Sequence, residues 1–184
     1  MIPAVGSERL SVDEYLASED GAELRHEYIG GEVYAMTGAT ARHGLITLNM
    51  AAALRSHVRG SGCQLFANDM KVRLRIGGDD IFYYPDILLS CDPADRAVYF
   101  RESPCLIVEV LSESTERLDR REKFFAYQRI PSLREYVLVA QDRCEVQVHR
   151  RSSDWAAEVL TEGMLRLECL DVGLSLDDIY EDVD

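Results

Sequence analysis

The feature that most constrains this chain is an apolar run of strand length with one acid near its centre. Residues 106–111 are Leu-Ile-Val-Glu-Val-Leu, and the acid is Glu109. A continuous, β-branched-rich run of this length is typical of a strand covered on both faces. A carboxylate that loses its water shell there costs on the order of several kcal/mol unless it is compensated. We therefore expect Glu109 to have a cation, a hydrogen-bond donor or a proton beside it.

A second acid, Asp86, stands at the start of a second apolar strand, in the segment Tyr-Tyr-Pro-Asp-Ile-Leu-Leu-Ser at residues 83–90. If the strands of Asp86 and Glu109 are neighbours, strand periodicity allows both carboxylates to point to the same side. Together with the Val110 carbonyl and waters, they would suit Mg²⁺ or Mn²⁺, which prefer oxygen ligands. The alternative is that Asp86 caps a turn and Glu109 pairs with an arginine.

A lysine follows on the next predicted helix. At about 100° per residue, Lys123 falls on the same side as Asp119, Ala126, Tyr127 and Ile130, so we expect it to face inward. An ammonium near a metal-bound water can orient the nucleophile or stabilise charge on a phosphate. The alternative is an ordinary salt bridge between Asp119 and Lys123.

Length, charge and cysteine content limit the number of domains, the partners and the cellular compartment that we expect. At 184 residues, we expect one domain spanning residues 1–184, and the net charge of −13 opposes polyanion binding by the chain as a whole. No membrane-spanning run or signal peptide is evident in the sequence. The five scattered cysteines form no CxxC pair, which favours reduced thiols in a cytoplasm and argues against a cysteine-type zinc site.

Periodicity and turn residues predict an α/β domain with a central mixed β-sheet flanked by helices. The sequence predicts helices over residues 12–18, 40–58, 116–129 and 174–180. It predicts strands in a hairpin over 23–36, then over 63–67, 70–76, 81–90, 106–111, 133–140, 144–149 and 155–160.

Several blocks of the chain, in this order, resemble a known family. They are HEYIGGEVYAMTGATARHG, YYPDILLS, LIVEVLSEST with the following Asp119 and Lys123, and IPSLREYVLV. Over about residues 11–180 the chain resembles the Uma-type restriction-endonuclease family, which is similar to the PD-(D/E)XK nuclease superfamily. The resemblance implies a restriction-endonuclease-like fold, with Asp86 and Glu109 as the two motif acids. The usual motif lysine, two residues beyond the acid, is Leu111 here, and the resemblance transfers its role to Lys123.

Two further residues are candidates for the same site. His43 matches a family position near the start of the long helix, where it could carry a proton or contact a phosphate. Glu27 could add another acid to the cleft. For both residues a purely structural role is the alternative.

Three hypotheses follow from these residues. The first is a magnesium-dependent endonuclease that cuts DNA, working as a homodimer in the cytoplasm. The second is a catalytically inactive nuclease-fold module that binds nucleic acid or a protein partner. The third is a structural one, in which Glu109 and Lys123 pair in the core.

Overall fold

The computed structural model describes residues 9–113 and 116–183, so Ser114 and Thr115 lie outside the described residues. It has the predicted mixed α/β architecture. The helices are α1 (Val12–Glu19), α2 (Ala41–Val58), α3 (Glu116–Leu118), α4 (Phe124–Tyr127) and α5 (Leu176–Ile179). The strands are β1 (His26–Ile29), β2 (Glu32–Ala35), β3 (Gln64–Ala67), β4 (Lys71–Ile76), β5 (Asp79–Tyr83), β6 (Ile87–Ser90), β7 (Phe100–Arg101), β8 (Pro104–Leu111), β9 (Glu135–Ala140), β10 (Val146–Arg150), β11 (Ala157–Leu160), β12 (Met164–Leu167) and β13 (Val172–Ser175).

A six-stranded sheet forms the centre of the fold, in the order β11-β10-β9-β8-β6-β3. It is mixed, because β8 and β9 run parallel while β6 and β8 run antiparallel. All eight residues of β8 are buried, as its uninterrupted apolar run predicts. The strand that carries Glu109 therefore lies inside the molecule.

Different elements cover the two faces of this sheet. Apolar residues of α2, α5 and the β12–β13 hairpin pack on one face. On the other face pack α4 and strands β4 and β5 of a five-stranded sheet, whose order is β2-β1-β5-β4-β7. The side chains of Leu88 and Ile107 lie on this second face. By strand alternation, Asp86 and Glu109 belong to the same face.

The chain leaves one sheet and enters the other immediately before Asp86. The prediction of one strand over residues 81–90 is wrong, because β5 belongs to the five-stranded sheet and β6 to the six-stranded sheet. Pro85 lies in the crossing and has no N–H to donate to a ladder. Asp86 lies outside both strands, where its side chain is free to face a cleft between the sheets.

The helix predicted over residues 116–129 is broken by a π-helical segment. The chain passes from α3 through the π-helical segment Asp119–Lys123 into α4. Both ends of this segment, Asp119 and Lys123, are buried. Single π turns inside helices occur often at functional sites. The inward orientation predicted for Lys123 is confirmed, although the helix has a different pitch there.

Glu27 lies on the hairpin that the glycine pair at residues 30 and 31 predicts. The β1–β2 hairpin turns at Gly30 and Gly31, whose φ angles of 56° and 100° lie in the left-handed region that glycine adopts without strain. The register pairs Glu27 with Tyr34 across the hairpin. Tyr28 pairs with Phe82 of β5, which joins the hairpin to the five-stranded sheet. The neighbouring residue Glu27 lines the cleft.

The cysteines do not follow the sequence prediction of five reduced thiols. Disulfides join Cys63 to Cys91 and Cys105 to Cys169, and Cys144 remains free and exposed. The pairing of Gln64 with Ser90 in β3 and β6 places Cys63 opposite Cys91. Positions 28 and 64 residues apart in the sequence are thus brought together by strand register, which spacing alone cannot show. Within the described residues, no helix is long and apolar enough to cross a bilayer.

Candidate active site

Strand pairing brings Asp86 and Glu109 to the same end of two neighbouring strands. Ile87 of β6 is paired with Val108 of β8, so the next step along the ladder sets Asp86 opposite Glu109. The amide N–H of Val110 donates a hydrogen bond to Asp86 Oδ2 at 2.7 Å. The backbone after Glu109 thereby fixes the Asp86 carboxylate.

His43 is the second partner of Asp86. Thr40 caps α2 by accepting a hydrogen bond from the His43 N–H, which places the imidazole in the first turn. His43 Nε2 then lies 3.2 Å from Asp86 Oδ2. Burial disfavours the charged imidazole, but the hydrogen bond and the charges of Asp86 and Asp119 outweigh it and raise the pKa of His43. The sequence prediction that His43 lies near the site is correct in position.

Glu109 lies deeper in the site, with only 3% of its surface exposed. Its Oε1 accepts hydrogen bonds from Lys123 Nζ at 3.1 Å and from the Tyr127 hydroxyl at 2.9 Å. Burial raises the pKa of Glu109 well above its usual range, against the opposing effect of Lys123. Two of the three kinds of compensation expected from the sequence, a cation and a hydrogen-bond donor, are therefore present.

Lys123 is shared by three carboxylates. Its Nζ lies 3.0 Å from Glu27, 3.1 Å from Glu109 and 3.2 Å from Asp119. Burial opposes the charged amine, but Glu109, Glu27 and Asp119 together raise the pKa of Lys123 well above its ordinary value. The predicted Asp119–Lys123 ion pair exists, yet it is buried rather than at the surface.

The donors at this site are oxygen atoms of the kind that binds a hard divalent cation. The cleft is lined by four carboxyl groups, those of Glu27, Asp86, Glu109 and Asp119, and these outnumber its basic neighbours Lys123 and His43. Buried Glu27 Oε1 and Asp119 Oδ1 lie near Lys123 Nζ without hydrogen-bond geometry, so each lacks a hydrogen-bonding partner. Hard oxygen donors of this kind suit Mg²⁺, which keeps several waters of its own. Waters would have to complete the coordination shell, because among the described residues of the site no three acid or histidine ligand atoms lie within 4.8 Å of one another.

A cleft of about 1220 Å³ connects these groups to solvent. Glu27, His43, Asp86, Glu109 and Lys123 all line it, so the structure brings together the five predicted side chains. Val110 is also in the lining and contacts Asp86 through its N–H, while the metal role of its carbonyl stays a prediction. Arginines contribute positive charge to the same lining: Arg25, Arg42, Arg117 and Arg143.

Sequence reasoning placed Asp119 and Tyr127 on the inward face of the helix without assigning them to the site. Asp119 contacts Lys123, and Tyr127 donates to Glu109. The spacing Asp119–Lys123–Tyr127, four residues at each step, was the signal available for both. A polar residue at each step of an otherwise buried helix face indicates a polar cluster rather than a simple core.

This fold and acid-lined cleft define a mixed α/β protein with a candidate active site beside its central sheet. Residues 12–177 match the model of the Uma2 family, described as "Putative restriction endonuclease". The protein belongs to this family, in agreement with the resemblance found in its motifs.

The chain is also similar to two other proteins in sequence and to a solved structure in fold. An uncharacterized protein of Synechocystis sp. is 35% identical over 182 residues, covering 97% of this chain and 95% of that protein. A second uncharacterized protein of the same organism is 32% identical over 148 residues, covering 79% of this chain and 82% of that protein. The crystal structure of a "putative nuclease belonging to DUF820" from Anabaena variabilis superposes with a TM-score of 0.74 at 19% identity. That superposition covers 93% of this chain and 97% of the other, and it supports the fold.

Proposed function

We propose that this protein is a divalent-metal-dependent endonuclease that hydrolyses DNA phosphodiester bonds. The observation that carries the proposal is the excess of buried acids around one lysine at the inner wall of an open cleft. A purely structural ion pair needs one acid for one lysine, whereas this lysine has three. Surplus carboxylates beside a cleft favour a bound cation.

Each residue receives a role in this proposal. Asp86 and Glu109 would hold Mg²⁺ or Mn²⁺, with the Val110 carbonyl and waters as further ligands. Such an ion polarises a phosphoryl oxygen and lowers the pKa of a bound water. Lys123 would orient the attacking water and hold Glu109 in place.

The remaining two residues act around that centre. His43, hydrogen-bonded to Asp86, would hold a proton near the leaving oxygen or contact the phosphate. Glu27 would keep the Lys123 amine in position through their 3.0 Å contact.

The test is nicking of supercoiled plasmid DNA by purified protein with Mg²⁺ or Mn²⁺. Asp86→Ala and Glu109→Ala should each abolish nicking while near-UV circular dichroism stays unchanged. Glu135→Gln, which changes a buried glutamate that does not line the cleft, is the matched control and should retain activity. Equal nicking by wild type and both alanine variants would identify a contaminating nuclease and refute the proposal.

A second candidate function is an inactive module that binds nucleic acid or a protein partner. The net charge of −13 favours it, because a protein of that charge binds DNA weakly at physiological salt unless a partner supplies positive surface. Metal-independent retardation of DNA in a gel, without cleavage, would select this function. Light scattering on the same samples tests the expected homodimer.

A further inference from the structure

A second cluster of reactive side chains lies at the opposite end of the central sheet. Cys63 precedes β3, Cys91 follows β6, Cys105 is in β8, and Cys169 lies between β12 and β13. We call these four residues the four-cysteine cluster. Cys105 and Glu109 lie on one strand four residues apart, a separation of about 13 Å. The cluster is therefore distinct from the candidate active site.

The two disulfides of the four-cysteine cluster lie in contact with each other. Cys91 Sγ lies 3.7 Å from Cys105 Sγ, although these two residues belong to different disulfides. The sulfurs of Cys91, Cys105 and Cys169 all lie within 4.8 Å of one another, and Cys63 is bonded to Cys91. In a tetrahedral zinc site with Zn–S bonds of about 2.3 Å, neighbouring sulfurs are about 3.8 Å apart. The Cys91–Cys105 separation matches that edge.

The surroundings also suit a structural metal. Cys105 is buried and the other three are half-buried, and all four contact the apolar core formed with α2 and the β12–β13 hairpin. The N–H of Cys169 donates to Glu135 Oε2 at 3.0 Å, which anchors the loop that brings the fourth sulfur. The sulfurs of Cys91, Cys105 and Cys169 are thus held close together by strands and an anchored loop, and Cys63 adjoins them through its bond to Cys91.

We propose that the four-cysteine cluster binds Zn²⁺ when its sulfurs are reduced, and holds the two disulfides when they are oxidised. A dithiol reductant supplies two electrons and two protons to each S–S bond and is itself oxidised to a disulfide. Zn²⁺ then binds the four thiolates and displaces four protons. The ion would fasten β3, β6, β8 and the β12–β13 connection together at one end of the sheet.

The experiment measures metal binding by the full chain after reduction with a mild dithiol under nondenaturing conditions. Thiol titration should give five thiols, and a colorimetric chelator should then detect one zinc per chain after loading and desalting. Loading with Co²⁺ should give the intense visible absorption of a tetrahedral thiolate site. Cys105→Ser and Cys63→Ser should each weaken Zn²⁺ binding at least tenfold. Because Cys63 is only half-buried, its variant remains informative if Cys105→Ser fails to fold.

Two control variants make the result specific. Cys144→Ser changes the exposed free cysteine and should keep full zinc binding. Asp86→Ala should also keep full zinc binding. If the zinc were bound by the acids of the candidate active site, this variant would lose it. Failure to reach five thiols, less than a tenth of an equivalent of zinc in reduced protein, or equal loss in Cys144→Ser would each overturn the proposal.

Discussion

Glu109 and Glu135 lie on the adjacent parallel strands β8 and β9, and both are buried, yet they are held in different ways. Glu135 receives Arg150 Nε on Oε1 at 3.3 Å and the Cys169 N–H on Oε2 at 3.0 Å. Glu109 shares its one cation, Lys123, with two other carboxylates. Burial raises the pKa of both glutamates. Burial therefore does not distinguish the two glutamates, whereas the sharing of a cation and access to the cleft do, and these two features make Glu109 the candidate site residue.

The largest expected effect is the difference between Glu109→Gln and Glu135→Gln. Glu109→Gln removes a proposed metal ligand, so nicking activity should fall at least about 100-fold, more than is usual for loss of a residue that only orients a ligand. Glu135→Gln weakens a satisfied buried pair and should cost about 1–3 kcal/mol of stability with activity retained. Plasmid nicking and thermal unfolding of both variants measure this contrast. Comparable loss of nicking in the two variants would remove the distinction between the glutamates.

Much of the fold that positions these two glutamates followed from the sequence. The buried β8, the long α2, the β1–β2 hairpin and the inward Lys123 were predicted because each depends on local periodicity or turn residues. The same periodicity placed Asp86 and Glu109 on one face, subject to their strands being neighbours. That condition is a tertiary fact, and only the β6–β8 pairing confirms it.

What the sequence did not show depends on contacts between distant segments. The crossing at Pro85 separates β5 from β6, although both belong to one apolar run in the sequence. The sharing of Lys123 by Glu27 joins residues nearly a hundred positions apart. The four-cysteine cluster was hidden for the same reason, since strand register rather than CxxC spacing assembles it.

The second prediction concerns the cations of the two glutamates. Lys123→Met leaves three buried acids without a cation and should destabilise the protein by about 3–5 kcal/mol. For a chain of this size that corresponds to a fall in Tm of roughly 6–20 °C. Added Mg²⁺ should raise the Tm of Lys123→Met more than that of wild type, because the acids then lack their ammonium.

Arg150→Met is the matched change for the other glutamate. It should also lower the Tm, but Mg²⁺ should give no recovery, because Glu135 does not line the cleft and keeps its hydrogen bond from Cys169. Differential scanning fluorimetry with and without Mg²⁺ compares the two variants. Equal rescue of both would mean that the ion acts nonspecifically, and no rescue of Lys123→Met would argue that the acids do not bind a cation.

A smaller effect is expected at two fully buried tyrosines. Tyr127 donates to Glu109 Oε1 at 2.9 Å, whereas Tyr136 donates to the Asp119 carbonyl at 3.0 Å. Tyr127→Phe and Tyr136→Phe should each cost about 1–3 kcal/mol, since each removes one hydrogen-bond donor from a buried acceptor. Only Tyr127→Phe should also weaken the apparent Mg²⁺ affinity, by about 10–100-fold, as loss of a group that orients a ligand does. Mg²⁺ titrations of nicking activity distinguish the two, and equal shifts would assign Tyr127 a purely structural role.

The smallest expected effect is a pH dependence of stability at His149, which precedes the Glu135 partner Arg150 on β10. Burial lowers the pKa of His149, despite the opposing contact with the Trp155 carbonyl. A base whose folded pKa is lowered contributes stability that is full above its unfolded value, about 6.5, and is lost as pH falls through the folded pKa. The Tm difference between wild type and His149→Gln should therefore be larger at pH 7.5 than at pH 5. His57→Gln, which makes the same substitution at an exposed histidine of α2, is the control for the exchange of the side chain itself. A difference for His149→Gln that stays constant or grows towards acid pH would show that burial does not hold this ring in its neutral form.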